Sequence, residues 1–426
     1  MKRVVILCVW LFSVVAGHAQ LSLDECRRLA RENYPEIRQY DLVHQTEQYN
    51  LSNAARAWIP QLAFSAQATW QTDAPNFPKE LTGMLAQQGL EIPGLRKDQY
   101  KVALELNQTI WDGGKSVADK RIARAEATEQ KTMTDVDLYE LEGRVDDLYF
   151  GILLLDERIA QTNLTLNLLR SNLEKVRALQ RNGVAMQSDA DVLEAELLSV
   201  GQQLIQFESS CDSYRRMLGI FIGQKVGDRK LQRPSAVQPL SGESARPELA
   251  MFAAKIDRLT AQEKMVKSSS MPRLGFFAQG YYGYPGLDYM QGMMNSDWSW
   301  NAMLGVKLSW NFGAYYTQKN NLDKLRTSRQ QVEVQRDVFL FNMNLQAAQE
   351  NGDIARLRKA IADDDRIVAL RRSVREAAES KLRNGIIDTH DLLLKITDES
   401  TASMARSMRE IELLKAIYEY KHTINR

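Results

Sequence analysis

The sequence predicts a mainly α-helical chain with a small β part: long antiparallel coiled-coil helices and four strands of membrane-spanning length, arranged as two homologous halves. Three observations carry this. An apolar heptad seam runs for more than five repeats between Leu138 and Val176. Four short segments alternate apolar and polar residues, and every tryptophan beyond residue 19 lies in or beside them. Four local sequence matches recur in the same order in the two halves.

The chain has 426 residues, 44% apolar and 26% charged. Its mean hydropathy of −0.38 excludes a bundle of membrane-spanning helices, each of which needs about 20 nearly uninterrupted apolar residues. Only the N-terminus approaches such a run. Lys2 and Arg3 precede an apolar stretch from Val4 to Val15, and Gly17-His18-Ala19 is a small-x-small cleavage pattern, so residues 1–19 read as an export signal. The competing reading, an uncleaved anchor, needs a longer span. Cleavage after Ala19 takes two of the 55 basic residues and none of the 54 acids, leaving a net charge of −1. Interleaved acids and bases give no nucleic-acid footprint. Cys26 and Cys211 remain after cleavage, either as a pair or as two buried thiols.

The internal matches divide the chain. Pro35-Glu36-Ile37 and Pro247-Glu248-Leu249 are 212 residues apart, as are Ile59-Pro60-Gln61-Leu62-Ala63-Phe64 and Met271-Pro272-Arg273-Leu274-Gly275-Phe276. Leu104–Gly113 matches Leu304–Gly313 at an offset of 200, and Arg181-Asn182-Gly183 matches Arg383-Asn384-Gly385 at 202. The expected organisation is a first repeat over 20–222, a linker over 223–245 rich in Gly, Pro and Ser, and a second repeat over 246–426.

Within the first repeat the pattern predicts a helix over 23–57, strands over 62–72 and 100–111, a long helix over 115–181 and a helix over 188–219. The second repeats the order: a helix over 246–268, strands over 273–284 and 299–310, a long helix over 315–383 and a helix over 388–424. In the first long helix Leu138, Leu141, Val145, Leu148, Ile152, Leu155 and Ile159 step by three and four. Leu166, Leu169, Leu173 and Val176 continue the register, with Thr162 as the polar interruption. At ~1.5 Å per residue this helix is roughly 100 Å long. Its seam needs a partner along that length, and the two shorter helices of the repeat, end to end, match it. The second seam, Val334, Val338, Phe341, Leu345 and Ala348, is weaker. Gly183 and Gly385 would supply the turn at each helix tip.

The strands carry the membrane argument. Leu62, Phe64, Ala66, Ala68 and Trp70 share one face of the first, and Tyr100, Val102, Leu104, Leu106 and Ile110 one face of the second. Trp298, Trp300, Ala302, Leu304, Val306, Leu308 and Trp310 alternate with polar residues in the fourth. About 11 residues is the length of a tilted transmembrane strand. Trp58, Trp70, Trp111, Trp298, Trp300 and Trp310 have the distribution that interfacial aromatic girdles produce. The alternative is a soluble sheet with tryptophan in its core. Four strands cannot close a barrel, and open edges are not tolerated in lipid. Two chains would give eight strands and a filled interior; three would give twelve and a lumen, so the strand count points to a trimer.

Several short motifs identify a family resemblance. Leu21-Ser22-Leu23-Asp24-Glu25-Cys26 opens the first helix, Trp58-Ile59-Pro60-Gln61-Leu62 enters the first strand, and Gln108-Thr109-Ile110-Trp111-Asp112-Gly113-Gly114 leaves the second. With the paired Arg-Asn-Gly turns, these make the whole chain beyond residue 19 resemble the TolC-type outer-membrane efflux proteins. The resemblance implies a homotrimer: a twelve-strand barrel in outer-membrane lipid, continued by a periplasmic α-barrel. It implies the role of passive exit duct in a tripartite efflux pump or type I secretion system of a Gram-negative bacterium. A periplasmic adaptor and an inner-membrane transporter would be the partners.

The resemblance also assigns sites. The helix tips Arg181, Asn182, Gly183, Arg383, Asn384 and Gly385 would contact the adaptor; their plain alternative is turn chemistry with solvated arginines. Asp391 matches a position where the family narrows its tunnel with an acidic ring, and Leu394 occupies the place of a second acid. The expectation is one acidic ring and one apolar constriction. Asp189, six residues after Gly183, is the corresponding acid of the first half. Stabilisation of a helix N-terminus is its alternative, and the same holds for Asp388.

No catalytic residue, metal site or cofactor is expected. His44, His390 and His422 lack metal-ligand spacing. Trp111-Asp112-Gly113-Gly114-Lys115 lacks the spacing of a phosphate loop. Two rival readings remain: a periplasmic coiled-coil adaptor or scaffold without a membrane barrel, and an exported enzyme.

Overall fold

The computed structural model describes residues 20–90, 92–236, 244–384 and 386–425. The expected export signal over 1–19, linker residues 237–243 and Gly385 lie outside the described residues. In chain order the elements are α1 (Leu23–Asn33), α2 (Gln39–Arg56), β1 (Gln61–Trp70), α3 (Lys79–Gln87), β2 (Asp98–Trp111), α4 (Lys115–Arg181) and α5 (Gln187–Ile222). There follow α6 (Pro247–Ser268), β3 (Arg273–Tyr284), α7 (Tyr289–Asn295), β4 (Ser299–Ser309), α8 (Ala314–Arg383) and α9 (Thr389–Ile424).

Two differences from expectation have local causes. The helix expected over 23–57 is broken: α1 stops at Asn33, Tyr34 is extended, and a 3₁₀ turn over Pro35–Arg38 precedes α2. Proline disfavours the α conformation in the residue before it and has no N–H to donate, so the break falls at Tyr34-Pro35. The short helices α3 and α7 lie in the two strand-to-strand connections, too brief to leave a periodic signal.

The chain forms two compact units, each drawing on both halves of the sequence. The first comprises the described residues of 1–40, 131–252 and 334–426. Its core has two large clusters. In one, Leu138, Leu141, Val145, Tyr149 and Ile152 of α4 pack with Leu23 and Cys26 of α1, Leu218 of α5 and Ile411 of α9. In the other, Leu166, Leu169, Leu173 and Val176 pack with Leu193 of α5, Ala378 of α8 and Leu392 and Ile396 of α9. Tyr149 is fully buried, and its hydroxyl shares its proton between the carbonyls of Leu21 (2.8 Å) and Gln232 (2.6 Å), which satisfies the only polar atom of its side chain. Cys26 and Cys211 are both buried free thiols. Burial pushes the Cys26 thiol up to about 12, so it stays protonated.

Between the two clusters lies a polar layer. Thr162 is buried, and its hydroxyl has no hydrogen-bond partner among the described residues. The Thr165 and Ser400 hydroxyls meet at 2.5 Å, and Gln161 donates to Ser407 at 3.3 Å. A cavity of about 570 Å³, lined by Thr162, Thr165, Glu196, Ser400 and Met404 among others, accompanies this layer.

The second unit comprises residues 41–130, apart from Glu91, and 253–333. It holds a single antiparallel sheet in the order β1-β2-β3-β4. Asp112 starts α4: its carboxylate accepts from the backbone N–H of Gly114 (2.9 Å) and Ser116 (2.6 Å). Burial works against its charge, but these hydrogen bonds from Ser116 and Gly114 hold the carboxyl below its usual range.

Candidate functional site: an apolar sheet face and two helix tips

The register sorts the sheet into two unlike faces. Phe64 lies opposite Leu104, Leu104 opposite Gly280, and Gly280 opposite Ala302. Paired residues share a face, and the side-chain period is two. One face therefore carries Leu62, Phe64 and Trp70 of β1, Val102 and Leu104 of β2, Tyr282 of β3, and Trp300, Leu304, Val306 and Leu308 of β4. All are exposed, Phe64 at 73%, Leu304 at 75% and Trp300 at 82%. The other face carries Gln67, Lys101, Glu105, Asn107, Gln279, Asn301 and Lys307. There the Lys101 ammonium donates to Gln279 (3.1 Å), whose amide in turn donates to Glu105, and Lys101 lies 4.6 Å from the Tyr281 ring centroid.

The six tryptophans beyond residue 19 fall at the two ends of these strands. Trp58, Trp111 and Trp310 sit at the end that joins the helices; Trp70, Trp298 and Trp300 sit at the end that joins the connections. All are exposed. A register shift in β2 between Thr109 and Trp111 brings Trp111 opposite Leu274, onto the apolar face. At the far end, Trp298 stacks on Tyr100 at 5.6 Å between ring centroids, and Tyr282 packs against both Trp298 (5.3 Å) and Trp300 (5.1 Å). The indole N–H of Trp310 donates to the Ser270 carbonyl at 3.0 Å and its ring packs on Phe312 at 4.8 Å. A polar tip that is satisfied above an apolar ring is the pattern of a membrane–water interface. β1 and β4 are the edges of the sheet and have no strand partner beyond it within the described residues.

The helix tips lie in the first unit. After α4, the N–H of Gly183 donates to Gln180 (2.9 Å) and that of Val184 to Leu179 (2.9 Å), with Gly183 in the left-handed region at φ +75°. After α8, the N–H of Ile386 donates to Lys381 at the same spacing (2.9 Å). Both turns close by a 6→1 hydrogen bond, and at the first the left-handed position suits glycine. Arg181, Asn182, Arg383 and Asn384 are exposed. Sequence reasoning passed over three neighbours: Val184, Met186 and Ile386 stand exposed on the same turns. Their signal was an apolar side chain in a turn otherwise built of Arg, Asn and Gly.

The three acids past the tips differ in their surroundings. Asp189 accepts from the Met186 backbone N–H at 2.7 Å and so caps α5. Asp388 caps α9, accepting from the Asp391 N–H at 2.8 Å. The Asp391 carboxylate is exposed and makes no hydrogen bond or ion pair among the described residues; Leu394, one turn on, is exposed as well. No group of metal-ligating side chains occurs among the described residues, and no described helix is long and apolar enough to cross a membrane.

Comparison with known proteins gives this arrangement a context. Residues 27–223 match the outer membrane efflux protein family. No curated protein matches the chain. Among solved structures, the outer membrane protein VceC from Vibrio cholerae superposes with a TM-score of 0.68 at 14% identity, covering 94% of this chain and 95% of its own. The CmeC outer membrane channel of Campylobacter jejuni superposes at 0.65 and 14% identity, covering 94% and 85%. The MtrE outer membrane channel of Neisseria gonorrhoeae, in its open state, also superposes at 0.65 and 14% identity, covering 94% and 88%. At this identity the likeness establishes the fold.

Proposed function

From a chain whose residues 27–223 match the outer membrane efflux proteins, we infer the outer-membrane channel component of an efflux pump. The observation that carries this is the sheet: four strands with one exposed apolar face, tryptophans at both ends of it, and two open edges. Such edges cannot stand in lipid, so copies of the chain join β1 of one to β4 of the next. Three copies give a twelve-strand barrel with a lumen lined by the polar face. The exposed seam of α8, with Val334, Val338, Phe341 and Leu345, gives the copies a second apolar surface to share.

In this reading 20–222 and 246–426 are two structural repeats contributing two strands each. The six tryptophans anchor the barrel at its two interfaces. Arg181, Asn182, Gly183, Arg383, Asn384 and Gly385, with Val184, Met186 and Ile386, form the surface that a periplasmic adaptor engages. Asp391 and Leu394 line the periplasmic constriction, as one acidic and one apolar ring; Asp189 serves α5 as a cap. The chain performs no catalysis. Solute crosses passively, and an inner-membrane transporter supplies the energy.

The periplasmic scaffold reading fails on the sheet, whose apolar face would stand in water as one large exposed patch. Detergent-extracted protein added to a planar bilayer tests the duct. Discrete conductance steps are expected; their absence, with all protein recovered in a salt wash, would overturn it.

A further inference from the structure

The polar face of the sheet is not balanced in charge. Lys101, Glu105, Arg273 and Lys307 are its charged strand residues, three bases against one acid. Asp98 lies on the opposite face and is paired with Arg96. Two of the bases cluster at the end that joins the helices. Lys307 lies opposite Gly275, and Arg273 is two residues along the same strand, so the pair are diagonal neighbours, about 7–8 Å apart at the backbone. Both are exposed, and neither makes an ion pair among the described residues.

Distance decides whether any acid neutralises them. Glu105 lies opposite Gln279, four residues from Gly275, or about 13 Å at the strand rise. That exceeds the Debye length of about 8 Å at physiological salt, and the Glu105 carboxylate already accepts from Gln279. Asp112, at the end of β2, is occupied by the first turn of α4. Two adjacent cations without a counterion destabilise one another on folding. Glycine at 275 removes the one side chain that could cover Lys307 from directly across the strand.

We propose that Arg273 and Lys307 form a cationic belt at the helix-side mouth of the barrel and give the duct a preference for anionic cargo. The inference rests on the barrel reading: three copies would bring six cations around one lumen. A ring of one sign in a narrow passage focuses potential and raises the local concentration of the opposite ion. The cargo class it favours is organic anions, carboxylates and sulfonates among them.

The test is the reversal potential of the full-length protein, in planar bilayers under a potassium chloride gradient and then a potassium gluconate gradient. Against wild type, Arg273→Glu with Lys307→Glu should shift the reversal potential towards potassium selectivity, and Arg273→Gln with Lys307→Gln should shift it the same way by a smaller amount; the Asp391 ring at the constriction adds a constant contribution to all three. The glutamine pair removes the charge and keeps a polar side chain on the same face, so a folding failure of the charge-reversed pair leaves the test intact. Pores whose reversal potential is the same in wild type and both variants would overturn the belt while leaving the duct standing. Absence of pores in wild type would overturn the duct itself.

Discussion

Asp189 and Asp391 both lie six residues past a turn glycine, yet their carboxylates have different duties. Asp189 is spent on the Met186 N–H, whereas at the second tip Asp388 does the capping and the Asp391 carboxylate makes no bond among the described residues. Asp391→Ala should therefore raise single-channel conductance or relieve block by divalent cations; unchanged conductance and block would remove Asp391 from the constriction. Asp189→Ala should leave conductance alone and cost roughly 0.3–1 kcal/mol of stability in thermal unfolding, the usual value of an acid in the first turn of a helix. A second residue-scale effect belongs to His422, whose ring stacks on Tyr139 at 4.1 Å. Burial, with Arg246 and Arg27 nearby and Asp147 only partly opposing them, pushes its imidazole down to about 4. The unfolded chain thus binds the proton more tightly, and stability is lost as pH falls from about 6.5 towards 4. The thermal midpoint should drop across that window, and His422→Phe should remove the His422 part of the drop. An unchanged pH dependence in the variant would contradict the buried, neutral ring.

At the scale of elements, the two faces of the sheet make opposite predictions for one kind of substitution. Leu304→Arg on the apolar face should cost roughly 2–4 kcal/mol and lower the fraction recovered in membranes. Ser65→Arg on the polar face should leave recovery near wild type. Equal losses would mean that the register does not separate lipid from lumen. The helices offer a test of the polar layer: Thr162 carries a buried hydroxyl without a partner among the described residues, and Thr162→Val removes it at nearly constant volume. A gain of about 1 kcal/mol in unfolding is expected, the cost of leaving such a group unpaired; a loss would place a hydrogen-bonded water in the adjoining cavity.

Much of this was readable from periodicity. The three-four spacing from Leu138 to Val176 marks side chains that are buried in the first unit, apart from the half-buried Leu155 and Ile159, and strand alternation marks the face that is exposed in the second. The seam of α8 read as weaker, and its residues are less covered among the described residues: Val334 is 61% exposed, against 0% for Leu138. The break at Tyr34-Pro35 was present in the sequence as a proline and was masked by helix-like spacing on either side. Which acid caps and which stays free was illegible, since Asp189, Asp388 and Asp391 have the same residue type near the same turns and differ only in backbone geometry. The cationic pair was equally hidden. Arg273 and Lys307 are 34 positions apart and become neighbours only through the β3–β4 register.

At the scale of the whole molecule, a closed passage through lipid cannot be built from what one copy supplies. Among the described residues, the strand edges of β1 and β4 have no strand partner and the apolar stripe of α8 stays exposed. The mass of the detergent-extracted particle, corrected for bound detergent, is the most direct measure of this. Three chains per particle is the predicted result. A particle of one chain, dispersed in buffer once detergent is withdrawn, would contradict it.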